Sequence, residues 1–142
     1  MYVKRKRYIS KEIGLDYKLM TMDYNLARKL KDAGFPQPYG QREDGSDRMF
    51  WFDDKNIIPY RIADGIREDN GFLINKMERL CFIPTLSELI EACGTDFGAL
   101  KRIGIVDNQY RAEDYPFQDF CEAKYPEEAV GRLWLKLKGR QK

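Results

Sequence analysis

The chain has 142 residues, of which 43% are hydrophobic and 13% aromatic, enough for a packed core and too many for a disordered chain. It contains no histidine, which excludes Ser-His-Asp and Cys-His nucleophilic machinery, His-ligated zinc and an imidazole pH switch. Its formal net charge is only +2, but residues 1–31 carry nine Lys and Arg against three Asp and Glu, so a basic N-terminal arm precedes a mildly acidic body.

The arm, residues 1–20, opens with Lys4, Arg5, Lys6 and Arg7, with Tyr2 and Tyr8 beside them. Cations next to stacking aromatics suit single-stranded nucleic acid, and Lys4–Tyr8 is the candidate nucleic-acid contact. An acidic protein partner, or a purely solvating role, fits the same residues. The arm lacks the unbroken apolar run of a signal peptide or membrane span, and Cys81, Cys93 and Cys121 are too widely spaced for a metal site. Free thiols in a reducing cytoplasm, that of a host cell, are expected, with no cofactor and no membrane association.

A first helix is predicted over TMDYNLARKLKDAGF. Met22, Leu26, Ala27, Leu30 and Ala33 share a face, Thr21 is placed to cap the start and Gly34 to close the end. The following Phe35–Arg48 is rich in Pro and Gly and reads as a loop. Tyr39, Gln41 and Arg42 are its candidate interaction residues. MFWF and IIPY, separated by Asp53–Asn56, predict a hairpin whose second strand is held to a sheet edge by Pro59. Residues 61–80 read as an insertion. Asn70-Gly71 fits a turn between strands at 62–67 and 72–75, and a helical piece near Lys76–Leu80 is equally allowed.

PTLSELIEACG is a marked helix, with a Thr85/Glu88 capping box and Gly94 as its stop. LKRIGIV and QYRAE flank Asp107-Asn108 as a second hairpin, and FQDFCEA is a third strand that Pro116 can only precede. PEEAVGRLWLKLKG is a final helix with Pro126 at its first position and a stripe of Ala129, Val130, Leu133, Trp134 and Leu137. Gly131 inside it costs about 1 kcal/mol relative to Ala, which points to close packing there. The expected architecture is one α+β domain over residues 21–142. It is built on a small antiparallel sheet covered by helices, with a C-terminal half in the order α-β-β-β-α. Trp51 and Trp134 are expected in the core.

The C-terminal order resembles that of double-stranded RNA-binding domains. Those domains grip phosphate with lysines at the start of the second helix, where this chain has Glu127 and Glu128, so the likeness is one of shape. Glu122-Ala123-Lys124 looks like half of a restriction-endonuclease-like metal motif, with Asp107 or Asp119 as the other acid. The alternative is a charged surface pair. A chain this rich in charge produces Glu-x-Lys by chance, and no catalytic or metal residue is assigned.

Three blocks together, LARKLKDAGFPQ, FIPTLSELIEACGTDFGAL and PEEAVGRLWLKLKG, resemble a group of short, uncharacterised proteins of bacteriophages and mobile elements. The resemblance spans roughly residues 26–138. Here the basic N-terminus is longer, residues 61–80 are extra, and Tyr110 stands where a tryptophan is common. The resemblance implies provenance and an interaction role, in which a small non-enzymatic protein docks on a host or phage macromolecule, such as a defence or nucleic-acid-processing component. Nucleic-acid binding through the arm, and a nuclease using Glu122 and Lys124, are the alternatives. A homodimer paired through a strand edge is also allowed.

Overall fold

The structure, a computed structural model, describes residues 22–38, 42–53, 55–62, 77–104 and 109–140. The fold is α+β, with helices and two three-stranded antiparallel sheets. Two compact units divide the described residues, one drawn from Pro36–Ile83 and the other from Thr21–Phe35 together with Pro84–Lys142.

In the first unit, β1 (Arg48–Asp53) pairs with β2 (Ile57–Ile62) as the expected hairpin. A third strand, β3 (Leu80–Ile83), pairs with the other side of β1, giving the order β2-β1-β3. Pro59 therefore lies on an edge strand, as its missing N–H requires. Phe50, Trp51 and Phe52 are consecutive and all buried, so β1 is covered on both faces. Phe50 meets Phe82 at 5.5 Å between ring centroids, and Phe52 meets Tyr60 at 5.7 Å. On β3, the Phe82 N–H donates to the Gln37 side-chain oxygen at 2.9 Å. A side-chain amide thus stands where a neighbouring strand would. Of the strands considered at 62–67 and 72–75, Ile62 ends β2 and the rest lies outside the described residues. Met77–Arg79 form one 3-10 turn, and Leu80 already belongs to β3.

In the second unit, α1 (Tyr24–Asp32) is capped by Asp23, whose carboxylate accepts from the Leu26 N–H at 2.8 Å. Thr21, the expected cap, lies outside the described residues. Gly34 follows at φ +96°, and Met22, Leu26, Ala27 and Leu30 are buried. Next come α2 (Leu86–Cys93), β4 (Phe97–Ile103), β5 (Gln109–Asp114), β6 (Phe120–Ala123) and α3 (Pro126–Arg140), the expected α-β-β-β-α order. The α2 capping box forms as read, Thr85 Oγ1 accepting from the Glu88 N–H and the Glu88 carboxylate from the Thr85 N–H. The sheet order is β4-β5-β6. The α3 helix lies on β5 and β6, and α2 and α1 pack against α3. All five predicted stripe residues of α3 are buried. A Cβ at Gly131 would lie 3.4 Å from both the Leu26 Cδ2 and the Met22 Cε atoms, so the glycine marks where α1 crosses closely.

Two strand limits differ from expectation. β4 begins at Phe97 with a register shift between Phe97 and Ala99, and β6 begins only at Phe120. Residues 117–119, expected at the start of the third strand, instead form a turn together with Tyr115 and Pro116. The Asp107-Asn108 hairpin turn lies outside the described residues. No helix among the described residues is long and apolar enough to cross a membrane.

Candidate interaction surface

Among the described residues four large apolar side chains are exposed, and three of them sit in or beside this turn: Tyr115 (62%), Phe117 (57%) and Phe120 (49%). The burial of other large apolar groups makes such clustering unusual for a small unit.

The turn is held from below by Asp114, the last residue of β5, which has no solvent exposure. A buried carboxylate must be compensated by donors, and this one is. One oxygen accepts from the N–H groups of Gln118 and Asp119, each at 2.8 Å, and the other from Arg140 Nη2 at 3.0 Å. The Asp119 N–H foremost, with Arg140 and Gln118, holds the Asp114 carboxyl below the usual range against the opposing effect of burial. Arg140 also reaches the Asp119 carboxylate through Nη1 at 3.0 Å, so one guanidinium at the end of α3 ties both ends of the turn.

Further ties act on the turn itself. The Tyr115 N–H donates to the Asp96 carbonyl at 2.7 Å, and the Phe117 N–H to the Asp114 carbonyl at 2.7 Å. Tyr115-Pro116 is a cis peptide. A Cβ at Gly98 would come within 2.5 Å of the Asp114 carbonyl oxygen and 2.8 Å of Phe117 Cε1, so only glycine lets β4 pass under the turn.

Phe117 has φ +68°, the left-handed region that costs an L-residue with a side chain roughly 1–2 kcal/mol. Glycine or asparagine would take this backbone more cheaply. The side chain that occupies it is instead a half-exposed ring, in edge contact with Tyr115 at 5.8 Å. Across the strand end, the Arg111 guanidinium covers the Phe120 ring at 4.4 Å.

The residues singled out from sequence fall elsewhere. Lys4, Arg5, Lys6, Arg7 and Tyr8, with Tyr39 and Gln41, lie outside the described residues. Arg42 is half-buried, and its Nη1 donates to the Asp47 carbonyl at 2.7 Å, closing its own loop. Glu122, on β6, stands opposite Arg111 on β5 and forms a cross-strand ion pair with it at 2.6 Å, which is the charged-surface-pair alternative. Lys124 is exposed with its ammonium 5.7 Å from the Tyr125 ring centre, and Asp119 is engaged by Arg140. Among the described residues no three His, Cys, Asp or Glu side chains are grouped to hold a metal ion. Trp51 and Trp134 are both buried, Trp134 against Phe35 at 5.0 Å. Cys81 and Cys93 are buried and Cys121 half-buried, all free, and burial pushes the Cys93 thiol up to about 11 with help from Asp96.

Tyr115, Phe117 and Phe120 carry a sequence signal that alternation obscures: an aromatic-Pro pair bracketed by Asp114 and Asp119, residues that accept from nearby backbone in turns. The chain matches no family model, no curated protein and no solved structure.

Proposed function

We propose that this chain is a small non-enzymatic interaction protein of phage or mobile-element type, which docks on a host or phage macromolecule through the aromatic turn 115–120. The observation that supports it is Phe117: an exposed ring on strained backbone, in a turn braced from Asp96, Gly98, Asp114 and Arg140. Folding alone favours glycine there, and rigid exposed aromatics are what interface centres use. The resemblance of the three sequence blocks to phage and mobile-element proteins supports the provenance.

The test separates folding from docking. Phe117→Gly relieves the backbone and removes the ring, so its melting temperature should equal or exceed that of the parent. A host or phage component retained by the parent from infected-cell extract should be lost with the variant. Equal retention by both proteins would falsify docking through this turn. The cation surplus of residues 1–31 favours a second reading, nucleic-acid binding by the arm, which predicts affinity falling steeply with salt and vanishing when residues 1–7 are deleted.

A further inference from the structure

Charges around the turn bear on what it docks against. Of the carboxylates around the turn, Asp114 and Asp119 are engaged by Arg140, Glu122 by Arg111, and Glu113 by Lys101 at 3.1 Å, while Asp96, on the Tyr115 side, is exposed. Two cations of α3 are placed differently. Arg132 Nη1 donates to the Glu122 carbonyl at 3.1 Å and Lys136 Nζ to the Phe120 carbonyl at 3.4 Å, and among the described residues neither forms an ion pair. Peptide carbonyls are neutral, so both cations keep their charge along the outer edge of β6, beside Phe120, although Glu128 one helical turn back partly offsets that of Arg132. They also occupy the carbonyls that an added strand would use, so a partner must be held by side chains and not by β-addition.

We propose that the partner is a protein segment that lays a large apolar side chain against Tyr115, Phe117 and Phe120 and sets Asp or Glu against Arg132 and Lys136. This rests on the docking reading above and adds the chemistry of what is docked. A nucleic-acid strand is the poorer fit. Two cations neutralise few phosphates. Tyr115 and Phe117 meet edge to face, and Arg111 covers one face of Phe120, so successive bases find no series of open ring faces.

A random dodecapeptide library displayed on phage, selected against the full chain, tests the proposal. Enriched peptides should carry Asp or Glu within a few residues of a large apolar side chain. Synthesised, they should bind Phe117→Gly about 30-fold more weakly. The double variant Arg132→Glu/Lys136→Glu should bind them about tenfold more weakly. Tyr115→Ala repeats the first comparison without touching the strained position. Peptides that need Phe117 but lack acidic residues and ignore the charge reversal would overturn the acidic partner and leave docking standing. Failure to obtain any peptide that depends on Phe117 or Tyr115 would overturn both. Tighter binding of a 15-nucleotide thymidine strand than of every selected peptide would replace protein with nucleic acid.

Discussion

Asp114 and Glu128 show how two carboxylates in one unit answer pH in opposite senses. Asp114 is held below its ordinary value of 3.8, so its contribution to stability is complete above that value and is lost as pH falls through the lower, folded value. Asp114→Asn keeps the shape but weakens three charge-assisted bonds, and should cost about 2 kcal/mol at pH 7 in urea unfolding. The gap between parent and variant should shrink only below pH 3.8. Glu128, in the first turn of α3, is pushed above its ordinary 4.5, first by burial and then by the Asp23 carboxylate. A raised acid penalises the fold while ionised, and the penalty lifts as pH falls through the raised value towards 4.5. Glu128→Gln should therefore stabilise the protein at pH 7, with the gain gone at pH 4; a constant gain across that range would contradict this origin.

At the scale of elements, caps and stripes explain most of what was legible beforehand. Thr85 with Glu88, Gly94, Pro126 and the apolar face of α3 act locally, within four or five residues of one another along the chain, so the sequence displays them. The β3 strand was illegible because Leu-Cys-Phe-Ile is a four-residue apolar run after a 3-10 turn, equally compatible with a short helix. Residues 117–119 read as strand because FQDFCEA is a short aromatic run directly after Pro116, while the bond that bends the turn, Arg140 to Asp114, spans 26 residues. Gly131 was legible as a close approach but not as to its neighbour, α1, which lies far back in the chain. That packing sets a size limit. Gly131→Ala gains about 1 kcal/mol of helix propensity against contacts at the edge of ordinary van der Waals distance, and should be neutral or stabilising. Gly131→Leu should overpack α1 and cost about 1–3 kcal/mol, measured by thermal unfolding.

Across the whole molecule, three strand edges are blocked by three different means. Pro59 withholds an N–H on β2, Gln37 takes the Phe82 N–H on β3, and Arg132 and Lys136 take carbonyls on β6. Dimerisation by pairing β2 or β6, allowed by the sequence, meets these obstacles. The double variant Arg132→Ala/Lys136→Ala should keep its fold, since both side chains are exposed, and should self-associate at lower concentration than the parent in sedimentation. Unchanged association would mean that the two side chains do not guard that edge.

The second unit is also discontinuous, because α1 packs on α3 from the other end of the chain. On the ribosome the Leu26 side of α1 is made about 100 residues before Gly131, which at 5–20 residues per second is roughly 5–20 s. For that interval its apolar stripe has no native mate, and nascent-chain binding by chaperones should be heaviest on α1 and should end when α3 clears the exit tunnel.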